Sequence, residues 1–134
     1  MRNLALVAAG FLIGLDSLAL AQKPSEVPDN MAVVSTLWCD TPDQIETVLK
    51  AYYVAKVPLS SAMADINRVD PDACVRARVI VKMGTEVRRF IAGGALISVS
   101  EAQVHGVMRG PVPMMATKVQ TWYSAQVVAE LKDI

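Results

Sequence analysis

Two cysteines, Cys39 and Cys74, bracket the two stretches of helical periodicity in this 134-residue chain. At the second of them the apolar period changes from that of a helix to that of a strand. Between them, Thr41-Pro42-Asp43-Gln44 places a hydroxyl at an N-cap, proline at the first helical position, an acid in the first turn and glutamine at N3. That is a capping box with its proline where a missing N–H does no harm. Ile45, Val48, Leu49 and Tyr52 follow at i, i+3, i+4 and i+7, so the pattern predicts a helix from Pro42 to about Val54 with one apolar stripe. The same pattern leaves Tyr53 to one side and partly exposed. Pro58 cannot continue the helix. A shorter second helix is expected with Ser60 as N-cap and Met63 and Ile66 buried, ended by Asn67 and the turn Val69-Asp70-Pro71-Asp72.

Strand signals flank this helical segment. Met31 to Cys39, with Val33, Val34, Leu37 and Trp38, reads as a short first strand, and Trp38 is expected to pack beside the cysteine sulfurs. From Cys74, Val75, Ala77, Val79 and Val81 alternate with Arg76, Arg78 and Lys82. Met83-Gly84 reads as a tight connection to a strand at Thr85 to Ile91, and Gly93-Gly94 as the turn before a third strand starting near Ala95. That third run loses its alternation near Glu101, which implies a bend or bulge. Arg109 to Pro113 reads as a loop, Thr117 to Ala125 as a last strand, and Val127 to Ile134 as a short helical turn. The fold class is therefore α+β. A short first strand and two N-terminal helices precede an antiparallel meander of about four strands, open to curling into a partly open barrel.

The N-terminus supplies the compartment. Arg2, an apolar run from Leu4 to Leu15 and the small residues of Ala19-Leu20-Ala21 have the layout of a cleavable export signal. Asp16 interrupts the run after twelve residues, short of the roughly 20 that a spanning helix requires. This favours a signal over an anchor. Residues 1–21 are thus read as signal peptide, residues 22–30 as a flexible lead-in with two prolines, and residues 31–134 as one domain. A periplasmic or secreted address follows, with no membrane contact after cleavage. In an oxidising compartment Cys39 and Cys74 form the single disulfide open to them. Closing a loop of about 35 residues stabilises the fold by roughly 3–4 kcal/mol in the chain-entropy account.

Charge is neutral overall, with 13 basic against 13 acidic side chains. That balance disfavours a nucleic-acid partner. Along the chain it is uneven: residues 22–72 hold four basic and eight acidic side chains, and residues 73–134 the reverse. The strands accordingly carry a basic face of Arg76, Arg78, Lys82, Arg88 and Arg89. Such a face is most often a solvated exterior, here facing acidic helices of the same chain. Its functional meaning is an anion surface, since arginine forks match carboxylate and phosphate geometry, and an acidic protein or other polyanion is the partner it fits.

Catalytic and metal chemistry find less. His105 is the only histidine, and no motif sets a serine or cysteine nucleophile beside it. No catalytic residue and no cofactor is assigned, and the chain is read as non-enzymatic. His105, Met108, Met114 and Met115 lie close in sequence and are ligand types that suit monovalent copper. Methionine equally fills apolar gaps, so a copper or small-ligand protein built on the 105–115 segment is the alternative reading.

The run Cys39-Asp40-Thr41-Pro42-Asp43-Gln44, followed by Asn67, Cys74 and a strand-rich second half, resembles small uncharacterised exported proteins of bacteria. The resemblance implies a periplasmic address and brings no catalytic residue with it. The expectation from all of these features is an exported, non-enzymatic binding or accessory module that uses its basic strand face.

Overall fold

The structure, a computed structural model, describes residues 27–131. The export-signal reading of residues 1–21 and most of the lead-in lie outside the described residues. Strand β1 (Ala32–Cys39) is followed by helices α1 (Pro42–Tyr53) and α2 (Leu59–Val69), then by three long strands: β2 (Cys74–Ala92), β3 (Ala95–Arg109) and β4 (Val112–Glu130). All neighbouring strands are antiparallel, in the order β1-β2-β3-β4. β4 returns to β1 through one residue pair, Cys39 with Tyr123. The α+β class, the helical pair and the meander are as expected, and the sheet curls into an uneven barrel that closes at that single pair.

Helix α1 starts as its sequence dictates. The Thr41 hydroxyl accepts from the Gln44 N–H (3.2 Å), and the Thr41 N–H donates to Gln44 Oε1 (3.0 Å). Ile45 and Val48 are fully buried on the sheet. The stripe rotates at its end, however: Tyr53 packs against the cluster of Ala92, Ala95 and Ile97, while Tyr52 is exposed. Helix α2 begins after Pro58 without a side-chain cap, its buried position is Ala62, and Met63 and Ile66 are half-buried against the core. Asn67 lies inside it rather than ending it.

The long strands depart from the sequence reading in an instructive way. Met83-Gly84 makes no turn; the chain runs straight through as β2, with register shifts on either side of Glu86. A Cβ at Gly84 would lie 2.8 Å from Cγ of Glu101, so this glycine serves a close approach between strands. The reversal comes at Gly93-Gly94, with φ of +59° and +80°, the signature of a type I′ hairpin. Gly110-Pro111 makes an equally short second hairpin, where Arg109 pairs with Val112. The expected loop therefore shrinks to two residues, and the expected terminal helical turn is strand as far as Glu130. Pro113 is tolerated because β4 is at that point an edge.

β2 and β3 each bury one face at one end and the opposite face at the other. Near the helices, Phe90, Ala92, Ala95, Ile97, Val99 and Ala125 pack under α1. Beyond Glu101 the opposite face closes on itself around Trp38, Val79, Val81, Ala102 and Val104. The lost alternation at Glu101 is this exchange of faces. Trp38 accordingly lies on the face away from the cysteine sulfurs: it is fully buried beside Trp122 (ring centroids 6.4 Å apart) and donates from Nε1 to the Ala77 carbonyl (3.2 Å).

Candidate functional site: an arginine-lined hollow beside an apolar cleft

The site begins at the junction that holds the helical hairpin to the sheet. Cys39 and Cys74 are directly opposite in the β1–β2 register and form the expected disulfide, with Cα atoms 4.1 Å apart. Around it, Asn67 stands in for a strand: its Oδ1 accepts from the Cys74 N–H (2.8 Å), and its Nδ2 donates to the Cys74 carbonyl (2.9 Å). Gln44 Nε2 donates to Asp70 (3.0 Å), joining the start of α1 to the end of α2. These contacts fix the first residues of β2, and therefore the direction in which Arg76 leaves the strand.

The register places Arg76 opposite Leu37 and Arg78 opposite Ser35, all on the helix-bearing face but past the ground α1 and α2 cover. Both guanidiniums are exposed. Arg78 donates from Nη1 to the Gly110 carbonyl (3.2 Å), which tethers the β3–β4 hairpin tip. Arg76 makes no ion pair among the described residues. An open hollow of about 440 Å³ is lined by Ser35, Thr36, Arg76, Ala77 and Arg78. It adjoins a cleft of about 300 Å³ that shares Ser35, Thr36 and Arg76 and continues over Leu37, Leu49, Tyr52, Tyr53, Leu59 and Ala125.

The other members of the basic face go elsewhere. Arg88 donates to Asp43 (2.6 Å) and Glu46 (3.0 Å) of α1. Lys50 also bonds Glu46 (2.7 Å) and lies 5.7 Å from the centroid of the Phe90 ring. The Lys50 hydrogen bond holds the Glu46 carboxyl below its ordinary value; Arg88 adds to the effect and partial burial opposes it. Donating hydrogen bonds to Asp43 first and then to Glu46, Arg88 holds its proton more firmly. Arg89 points to the opposite face and pairs with Glu86 three residues earlier. Lys82 is exposed and lies beyond both hollows. Of the five residues read as one surface, the structure brings Arg76 and Arg78 together and turns Arg88 into a tie between sheet and helix.

The histidine–methionine group does not converge. The register pairs Met108 with Pro113, Val107 with Met114 and Gly106 with Met115. Met108 and Met115 thus share one face, and Met114 lies on the other. His105 is the extra residue of a bulge, since Ile80 pairs with Gly106 and Val81 with Val104. Its Nε2 is buried without a partner among the described residues. No group of three or more His, Cys, Asp or Glu able to hold a metal occurs among the described residues. Sequence reasoning missed the apolar cleft, because Leu49, Leu59 and Ala125 meet only after α1, α2 and β4 are assembled. It also missed Ser35, a single hydroxyl on a strand.

No protein-family model, no curated protein and no solved structure matches this chain.

Proposed function

We propose that this chain is an exported, non-enzymatic binding or accessory module that recognises an anionic group through Arg76, with Arg78 and Ser35 beside it. One observation carries the reading. Arg76 is an exposed guanidinium with no ion pair among the described residues, in a hollow shared with Arg78, whereas Arg88 and Arg89 are held by carboxylates of the chain itself. A guanidinium without an internal carboxylate is free to bind a carboxylate or phosphate from outside, and Arg78, held only by the Gly110 carbonyl, stands beside it in the same hollow. The periplasmic or secreted address is part of the proposal. It is supported by the disulfide, by the residue pattern of positions 1–21, and by the lack of any helix among the described residues long and apolar enough to cross a membrane.

Poly-L-glutamate tests the reading by titration calorimetry at low and moderate salt. Binding is expected at low salt and should weaken as salt rises, because exposed charges are screened within about 10 Å at 0.1 M. The Arg76→Ala, Arg78→Ala double variant is expected to bind at least tenfold more weakly, and Arg88→Ala to bind as the parent does. Equal binding by the parent and the double variant overturns the proposal.

A further inference from the structure

The hollow that holds Arg76 adjoins a half-open cleft that is polar at Ser35, Thr36 and Arg76 and apolar beyond them, and Arg76 lines both. Tyr52 and Tyr53 form one wall of the cleft, edge to face with centroids 4.9 Å apart and planes at 81°. Leu49 and Leu59 come from the facing ends of the two helices, and Leu37 and Ala125 from the sheet beneath. From this juxtaposition we infer that the ligand is a small amphiphilic monocarboxylate, its carboxylate on Arg76 and Ser35 and its aliphatic or aromatic body in the Leu–Tyr cleft. The inference rests on the anion reading of Arg76.

Three features of the cleft select this class. A single guanidinium borders the apolar walls, and one planar fork matches one carboxylate in two-point geometry. The walls are leucine and tyrosine, which gain from covering hydrocarbon and gain nothing from a second charge. The cleft volume of about 300 Å³ accommodates about ten groups of methylene size, at a share close to the ~30 Å³ of a liquid water.

A chain-length series tests it: butanoate, hexanoate and octanoate, with 1-hexanol as the neutral analogue, titrated into the protein and followed by amide chemical shifts. Affinity is expected to rise about two- to fourfold with each added methylene. Hexanol should bind at least tenfold more weakly than hexanoate. Arg76→Gln is expected to bring hexanoate down to the level of hexanol, and Leu59→Ala to flatten the chain-length series while leaving poly-L-glutamate binding unchanged. Affinity independent of chain length overturns the inference; if poly-L-glutamate still binds through Arg76 and Arg78, the anion reading stands without it. If neither the acids nor poly-L-glutamate bind, both fall.

Discussion

Asn67 performs at residue scale what a neighbouring strand performs elsewhere in the sheet. Its amide meets both backbone groups of Cys74, at the point where β2 emerges from the helical hairpin. Asn67→Ala leaves a partly buried N–H and C=O unpaired, and a loss of about 1–3 kcal/mol is expected, measured by urea unfolding with the disulfide intact. Gly106 answers to space rather than to hydrogen bonding. A Cβ there would lie 2.5 Å from the Met114 carbonyl oxygen and 3.0 Å from the Met115 Cα, both backbone atoms with little room to yield. Gly106→Ala is therefore expected to destabilise the fold by about 1–3 kcal/mol, the usual range for overpacking. An unchanged urea midpoint in that variant would show that β3 and β4 do not approach as described.

At the scale of elements, the seam between α1 and β2 is electrostatic at its rim and apolar inside. Arg88 and Lys50 converge on Glu46 above the buried pair Ile45 and Val48. Because the Glu46 carboxyl is lowered from 4.5 in the folded chain, its contribution is fully present above that ordinary value. It is lost as pH falls through the lowered one. Glu46→Gln should accordingly reduce stability at pH 7 by about 0.5 kcal/mol, a small figure because solvent screens a rim pair. The difference between variant and parent should shrink as pH falls below 4.5 and vanish once the carboxyl is protonated. A constant difference across that range would mean that packing, not charge, is what the substitution disturbs. The start of α1 was legible in Thr41-Pro42-Asp43-Gln44 because a cap is a local device. The continuity of β2 through Met83-Gly84 was not, since Gly84 answers to Glu101 on another strand. Nor was the exchange of places by Tyr52 and Tyr53, because the sheet's curvature decides which ring finds Ala92 and Ala95.

At the scale of the whole molecule, β2 and β3 bury opposite faces at their two ends, and the helices cover only one of those ends. Arg76 and Arg78 stand on the helix-bearing face just past the helices, where a charged side chain borders an apolar wall without being buried by it. The charge asymmetry along the sequence pointed to this region, and alternation placed the two arginines on one face. It did not distinguish them from Arg88 and Arg89, which share their strand but meet Asp43, Glu46 and Glu86. For Arg88 the landing site of α1 makes that distinction, and for Arg89 the carboxylate of Glu86 on the same strand does. On the proposed reading, Arg76, exposed and without an ion pair among the described residues, takes the outside anion with Arg78 beside it. The Nε–Hε resonances of the arginines, followed by nitrogen-resolved NMR during a poly-L-glutamate titration, test it most directly. A saturable shift is expected at Arg76, a smaller one at Arg78 and none at Arg88. A silent Arg76, or an equal response from Arg88, would contradict it.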